Sequence, residues 1–451
     1  MIFSATALAE ATGGILVQAG PSGSIDTDSR RLRRGAWFVA LVGERFDGHS
    51  YLPHAGAAGC AGCIAQRVPE GWSGGFIQVE DTLVALQNIA RYVRAGFDGP
   101  VIGITGSAGK TTTRAMTALA LSSLGPIHQT SGNLNNHIGL PLTLLAAPAD
   151  AAAWVVEMGM NHAGEIALLQ DISRPTVRLI TNVGAAHTEG VGGIAGVAAA
   201  KGELFDGARP GDVCIINADD PHVSALPLPD GVRIIRFGTA PGCDVRLTAA
   251  AVDPTTLHTR FQVETAGGSV LSMIRSPGTH LAMNAAAAIA VGLALHCPPE
   301  QMARAITDYE PVGARQRILS IPGGPVVLND AYNANPLSTT ASLHTLAAIT
   351  GRRRIALLGD MLELGDLEES GHAEMLALAR SLSLDLIGLA GPRYAAACQA
   401  AGAPDGVLSA SDARALAVLV GPRISSGDVV LLKGSRGMAM ERILDTLNTS
   451  R

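Results

Sequence analysis

Three consecutive α/β domains are predicted for this chain: a mixed N-terminal domain, a central doubly wound sheet built around a phosphate loop, and a C-terminal Rossmann-like domain. Three observations carry that expectation. At 451 residues the chain exceeds what one core organises. Apolar, β-branched runs alternate with helical stretches along two long segments, the pattern of parallel strands covered on both faces. The rhythm breaks at two turn-rich points, Gly96-Phe-Asp-Gly-Pro100 and Pro311 to Gly313. The domains therefore span residues 1–98, 99–312 and 313–451.

The N-terminal segment MIFSATALAEATGG reads as a short helix capped by Ser4. Ala36-Trp-Phe-Val-Ala-Leu41 and Gly75-Phe-Ile-Gln-Val79 are strand-like, and Leu83 to Ala95 is helical. In the central domain Val101 to Thr105, Trp154 to Met158, Val177 to Thr181 and Val213 to Asn217 are strands that each run into a loop and then a helix. The C-terminal domain repeats the pattern at Val326 to Asn329, Ile355 to Leu358, Leu386 to Leu389 and Val429 to Leu432. No short-period internal repeat is present.

Composition narrows the function classes. With 47% hydrophobic and 16% charged residues the chain is globular rather than disordered. A net charge of −6 and a pI near 6.1, with no long basic run, give neither a nucleic-acid footprint nor a polybasic membrane patch. No signal peptide or membrane-spanning run is expected. Small-molecule partners, a monomer and a reducing cytoplasmic compartment are the corresponding expectations. Of the six cysteines only Cys60-Ala-Gly-Cys63 forms a pair, and it lacks the second pair or His that zinc would need. Buried thiols are expected there, with metal or redox use as the alternative.

Ile102-Gly-Ile-Thr-Gly-Ser-Ala-Gly-Lys-Thr-Thr112 combines a strand, a glycine-rich turn and a helix start. Backbone amides from Gly106, Ser107, Ala108 and Gly109 to Thr112 can converge on phosphate oxygens there. Lys110 reaches the terminal phosphates, and the Thr111 hydroxyl can bind Mg²⁺. The template G-x-x-x-x-G-K-[ST] asks for Gly at position 104, where this chain has Ile104, so the loop is a shorter variant.

Ligands of open α/β sheets bind beyond the carboxyl ends of the strands. Glu157 ends one strand and is suited to a Mg²⁺ ion. His187 follows another, as a second-metal ligand or a structural residue. Only three of the 33 basic residues are lysine: Lys110, Lys201 and Lys433. If Ile194 to Phe205 is helical, Lys201 shares a face with Ile194, Val197, Leu204 and Phe205 and points inward. A buried ammonium is costly, and it has no lone pair for a metal. A neutral amine could instead take up carbon dioxide as a carbamate, which arginine cannot do. The alternative is a lysine that snorkels to the surface or pairs with Glu203.

Together these motifs resemble the Mur ligase family of cell-wall amide ligases over essentially the whole chain. Its carriers are TGSAGKTTT, VVEMGMNHAGEI, AAHTEG and AAAKGELF in the central domain and GDMLELG and LLKGSRG in the last. The resemblance implies ATP phosphates at Lys110 and Thr111. It implies Mg²⁺ on Thr111, Glu157 and His187, and a second Mg²⁺ on an N-carboxylated Lys201. Gly132 to Gly139, with Asn133, Asn135 and Asn136, looks like the Asn-rich loop of the D-alanyl-D-alanine-adding members. His280 and Asn284 resemble an H-N-x-x-N adenine motif whose first Asn is Leu281 here. Arg315, preceded by Ala314 rather than Gly, and Asp330 resemble the pair that closes over ATP. Tyr332-Asn-Ala-Asn-Pro336, including Asn333, follows them. Lys433 and Arg436 are then placed to hold a dipeptide carboxylate or a phosphate, a solvated turn being the alternative. Asp28-Ser29-Arg30, Asp47 and His49 resemble uridine-nucleotide docking segments of the N-terminal domain.

The activity so implied is ATP-dependent joining of D-alanyl-D-alanine to the carboxylate of UDP-N-acetylmuramoyl-tripeptide through an acyl phosphate, in peptidoglycan precursor synthesis. Sibling ligases are the alternatives within the family. The member adding a third, diamino residue carries a D-x-x-R-N-P-like signature absent here, and folate polyglutamate ligases lack the uridine-docking domain. A non-catalytic nucleotide switch is the alternative outside it, disfavoured by the combination of Glu157, His187 and Lys201.

Overall fold

The computed structural model describes residues 1–44, 46–186 and 188–449. Its chain contacts divide it into two compact units, one of residues 1–103, 125–159 and 165–176, the other of residues 104–124, 160–164 and 177–451. The division falls within the strand Val101–Thr105.

In the first unit, Ser4 caps the helix Ala5–Thr12 by accepting from the Ala7 amide at 3.1 Å. A five-stranded sheet follows in the order Ile15–Gln18, Gly75–Gln78, Gly62–Ala65, Trp37–Val39, Ile25–Asp26. The Ile15 edge is antiparallel and the remaining neighbours are parallel. Trp37 is fully buried, and its indole N–H donates to Pro21 O at 2.9 Å, so the ring is buried without orphaning its donor. Phe38, Leu52, Cys63 and Phe76 share one core, so Cys63 packs as a small hydrophobe, and burial raises its thiol well above the usual range. The helix Thr82–Ala95 starts at Asp81, whose carboxylate accepts from Leu83 and Val84 amides, and it buries Leu86, Ile89, Ala90 and Val93 at helical spacing. Ile127–Gln129 and Ala153–Glu157 pair in parallel, and Phe97 stacks on Trp154 with centroids 4.0 Å apart.

In the second unit, Val177–Ile180, Val213–Asn217 and Arg233–Gly238 are parallel neighbours, buried nearly throughout the first two. The expected parallel sheet then changes character: Val245–Val252 joins it, and Thr259–Thr265 and Gly268–Ile274 follow in antiparallel pairing. This extension was not expected from the strand-then-helix rhythm. Its strands alternate between buried and open positions instead of forming continuous apolar runs, because only one face packs on protein. The C-terminal region forms a six-stranded sheet in the order Arg317–Ser320, Val326–Asp330, Val429–Lys433, Arg354–Gly359, Leu386–Ala390, Val407–Ala410, antiparallel only at its first pair. Leu328, Leu358, Leu389 and Leu431 pack on one side, and Val327, Leu357, Val430 and Leu432 on the other. That alternation is what a sheet covered on both faces requires. Among the described residues no helix is long and apolar enough to cross a membrane.

Lys201 lies on the helix Ile194–Asp206, which ends against a buried guanidinium. Arg178, inside the strand Val177–Ile180, donates to Leu204 O at 2.8 Å and Gly207 O at 2.7 Å, and pairs with Asp212 at 3.2 Å. It satisfies carbonyls that the last helical turn leaves without intrahelical donors. Arg178→Met should therefore destabilise the protein by about 3–5 kcal/mol in urea unfolding; a loss below about 1 kcal/mol would show the helix end to be held by other contacts.

Candidate functional site

The strand Val101–Thr105 delivers the chain to Gly106 at φ 151°, where a Cβ would run into Thr181 Oγ1. Gly109, at φ 80°, is the N-cap of the helix Lys110–Ala120, and a Cβ there would stand 2.8 Å from Asn284 Oδ1. Both glycines are thus demanded by backbone conformation and by close neighbours. The first intrahelical bond runs from Thr113 N–H to Gly109 O, so the amides before it have no acceptor within the helix. Lys110 folds back over the loop, its Nζ donating to Gly106 O at 2.6 Å. Thr111 and Thr112 are buried in the first turn.

Asn182, which the sequence reading did not single out, grips this loop. Its carbonyl accepts from the Ser107 amide at 3.0 Å and its Oδ1 from the Ala108 amide at 2.8 Å, while its Nδ2 donates to Ala108 O at 3.1 Å. Thr181 Oγ1 adds a second donor to Ala108 O at 2.7 Å. The Ser107 and Ala108 amides therefore donate to protein acceptors. The signal was available: Asn182 follows a strand end on the ligand-binding side of the sheet.

Lys201 is 1% exposed, and among the described residues it makes no hydrogen bond or ion pair. Glu203, its candidate partner, instead accepts from the Gly164 amide at 2.6 Å. Burial, and then the like charge of Lys110, hold the Lys201 amine well below the usual lysine range. A neutral, nucleophilic amine is what carbamate formation needs, and carbamate oxygens are hard donors of the kind Mg²⁺ takes. The site thus fits the implied group. His187 lies outside the described residues.

Glu157, in the first unit, is buried and accepts from Asn135 Nδ2 at 2.9 Å, and its own amide donates to Thr130 Oγ1 at 2.9 Å. Of the other asparagines in that loop, Asn136 Oδ1 accepts from the Ile138 and Gly139 amides just before and at the start of the helix Gly139–Leu145, and Asn133 is exposed.

The predicted pair Arg315 and Asp330 belongs to a larger cluster in the second unit. Asp330 accepts from Lys433 Nζ at 2.6 Å, Ser342 Oγ at 2.7 Å, and the amide and Nε2 of Gln316, both at 3.1 Å. Lys433 is buried and also donates to the carbonyl of the exposed Asn333, so its ammonium is already engaged by protein. Arg436 is exposed and pairs with Glu441 at 3.0 Å. The Arg315 guanidinium stacks 3.5 Å above the Tyr332 ring. Gln316 was not anticipated. It holds Asp330 from a left-handed backbone, φ 54°, and its Oε1 is buried with no partner among the described residues, as is His280 Nδ1. Leu281, where the family motif carries Asn, is buried.

In the first unit Asp28 and Arg30 form two parallel hydrogen bonds of 2.8–2.9 Å, and that guanidinium lowers the Asp28 carboxyl to about 2. Ser29 between them is half-buried. His49 Nδ1 donates to Asp47 at 2.6 Å and its Nε2 accepts from the Gln66 amide at 3.0 Å, so both ring nitrogens are used. Asp47 also meets Arg67 at 2.9 Å, a residue the sequence reading omitted although it follows a strand end.

Residues 104–292 match the Mur ligase middle domain, and residues 314–436 match the family described as Mur ligase, glutamate ligase domain. The UDP-N-acetylmuramoyl-tripeptide–D-alanyl-D-alanine ligase of Bacillus subtilis (strain 168) is 36% identical over 431 residues, covering 94% of this chain and 92% of its own. Among solved structures, a crystal structure of MurF from Acinetobacter baumannii superposes with a TM-score of 0.92 at 31% identity, over 99% of both chains. MurF ligase from Thermotoga maritima in complex with ADP gives 0.85 at 27% identity, over 94% of this chain and 97% of that one.

His280 makes a test of the second-unit cluster. Burial is the main cause that lowers its pKa from 6.5 to about 4, with Lys433 opposing protonation and Asp330 favouring it. Between those values the unfolded chain takes up a proton that the folded protein refuses, so the contribution is present above pH 6.5 and lost as pH falls towards 4. From pH 7 to pH 5 the wild type should lose about 2 kcal/mol more than His280→Asn in urea unfolding; equal losses would mean that His280 is not held neutral.

Proposed function

The chain belongs to the Mur ligase family, and on that premise we propose that it joins D-alanyl-D-alanine to UDP-N-acetylmuramoyl-tripeptide with ATP, in peptidoglycan precursor synthesis. The observation that carries the reading is Lys201, buried with no hydrogen bond or ion pair among the described residues and within the like-charge influence of Lys110 in the phosphate loop. A nucleotide sensor has no need of such a residue. The D-alanyl-D-alanine-adding reaction is preferred to its siblings because it is the one named for a relative aligned over nearly the whole chain.

The proposed division of labour follows the predicted domains, residues 1–98 for the uridine end, 99–312 for ATP and 313–451 for closure and the dipeptide. The amides at the start of Lys110–Ala120, together with Lys110, hold the terminal phosphates, and Asn284 and Arg315 hold the rest of the nucleotide. Thr111, Glu157, His187 and carboxylated Lys201 are the proposed Mg²⁺ ligands. The Lys201 amine adds to carbon dioxide and releases one proton, turning a buried base into a bidentate anion. Bound Mg²⁺ would supply neutralisation of charge on the phosphates. The tripeptide carboxylate attacks the terminal phosphoryl group, giving an acyl phosphate and ADP. The dipeptide amine then displaces phosphate and forms the amide. Positioning and charge stabilisation supply most of the acceleration.

Ser29, Arg30 and Asp47 are the proposed uridine-side contacts, with His49 orienting Asp47. Asn133, Asn135, Asn136 and Asn333 are assigned to the peptide side. Arg436 is the proposed anchor for the dipeptide carboxylate, with Lys433 acting through Asp330. A cytoplasmic location and a monomeric state belong to the same proposal.

Purified protein given ATP, Mg²⁺, UDP-N-acetylmuramoyl-tripeptide and D-alanyl-D-alanine should release phosphate only when the dipeptide is present; release independent of it would refute the ligase reading. Lys201→Ala should lower kcat at least about 10²-fold, with partial recovery on adding a short carboxylic acid. Full activity in that variant would remove the carbamate.

A further inference from the structure

Ser107 has every polar backbone and side-chain atom engaged by protein. Its amide donates to Asn182 O at 3.0 Å, and its hydroxyl both donates to Gly184 O at 3.0 Å and accepts from the Gly184 amide at 2.9 Å. The carbonyl of Ser107 accepts from Asn335 Nδ2 at 3.3 Å, a bond between residues 228 positions apart. Asn335 is 8% exposed and is the N-cap of the helix Pro336–Ala347. Its Oδ1 accepts from the Ser338 amide at 2.9 Å, while its own amide donates to Ser338 Oγ at 3.1 Å, a reciprocal capping box. One amide group thus faces two ways, its oxygen starting a helix of the C-terminal sheet region and its nitrogen holding the phosphate loop. Two positions on, Leu337 lies against Gly184, and Thr188 Oγ1 donates to Leu364 O at 2.7 Å, so the Asn335 contact is one of several between the same two regions.

The geometry points to Asn335 as a positioning residue that couples the phosphate loop to the C-terminal region, so that nucleotide binding at the loop and docking of that region favour one another. The identity of the nucleotide as ATP rests on the proposed function; the coupling itself rests on the Ser107 contact. Asparagine is the residue type suited to the task. Aspartate and serine also cap helices, but aspartate has no donor to offer a carbonyl and serine is too short to span both partners.

The chemistry separates the two roles. In Asn335→Asp and Asn335→Ser the cap is kept and the donor to Ser107 is lost, whereas Ser338→Ala weakens the capping box and leaves that donor in place. The thermal midpoint and the affinity for a non-hydrolysable ATP analogue with Mg²⁺ should be measured for each, with KM for ATP and kcat in the dipeptide assay. Both Asn335 variants should keep the wild-type midpoint within about 2 °C while binding the analogue about fivefold more weakly and showing a raised KM. Ser338→Ala should lower the midpoint without changing the affinity. Wild-type affinity in both Asn335 variants overturns the coupling, as does an equal loss in Ser338→Ala, which would trace the effect to the cap. The binding measurement needs no turnover: wild-type protein that binds the analogue but does not ligate removes the proposed reaction alone, and wild-type protein that fails to bind it removes both.

Discussion

A lysine amine buried with no hydrogen bond or ion pair among the described residues is the constraint from which the proposed chemistry starts. Lys201 cannot keep its proton cheaply when it is buried and the like charge of Lys110 acts on it. The surrounding architecture keeps it there. The helix carrying it is tied down at its C-terminal end by Arg178, whose own charge is neutralised by Asp212 and whose donors satisfy two helix-end carbonyls. Two buried basic side chains are thus treated in opposite ways: Arg178 is paired with Asp212, and Lys201 has no hydrogen bond or ion pair among the described residues.

The phosphate loop shows a related economy of polar groups. Asn182 and Asn335 use the amides and carbonyls of Ser107 and Ala108. In the C-terminal region Asp330 collects four donors, from Gln316, Ser342 and Lys433. A carboxylate so surrounded is fixed in direction. It organises the residues around it, and the Lys433 ammonium that looked free for a ligand is one of its donors. His49 is a parallel case, with both ring nitrogens spent on Asp47 and the Gln66 backbone.

Local periodicity made much of this legible. The inward face of the Lys201 helix followed from helical phase, the phosphate loop from its glycines and flanking elements, and the two-sided C-terminal sheet from continuous apolar strands. The hairpin extension Val245–Ile274 was not legible, because alternating strands in an otherwise parallel pattern give a weak signal amid loops. Gln316 was missed for another reason: a polar residue in a loop carries no mark of the partner it will meet.

Residue order alone placed a Gly-Lys-Thr turn after a buried strand and an inward lysine on an alanine-rich helix, since both depend only on local geometry and on side-chain type. Which polar groups would be left to act was decided by tertiary structure. Lys110, Lys201 and Lys433 are equivalent as letters, yet one folds over a loop carbonyl, one is buried with no hydrogen bond or ion pair among the described residues, and one is locked to Asp330. Lys110 meets a carbonyl four positions back, but the partner of Lys433 is 103 positions away, and the loop that Lys110 covers is held through Ala108 and Ser107 by neighbours 73 and 228 positions away. No period in the sequence encodes partners at such separations, and the low dielectric of the interior makes their presence or absence decide whether a group is a base, an ion pair or a scaffold.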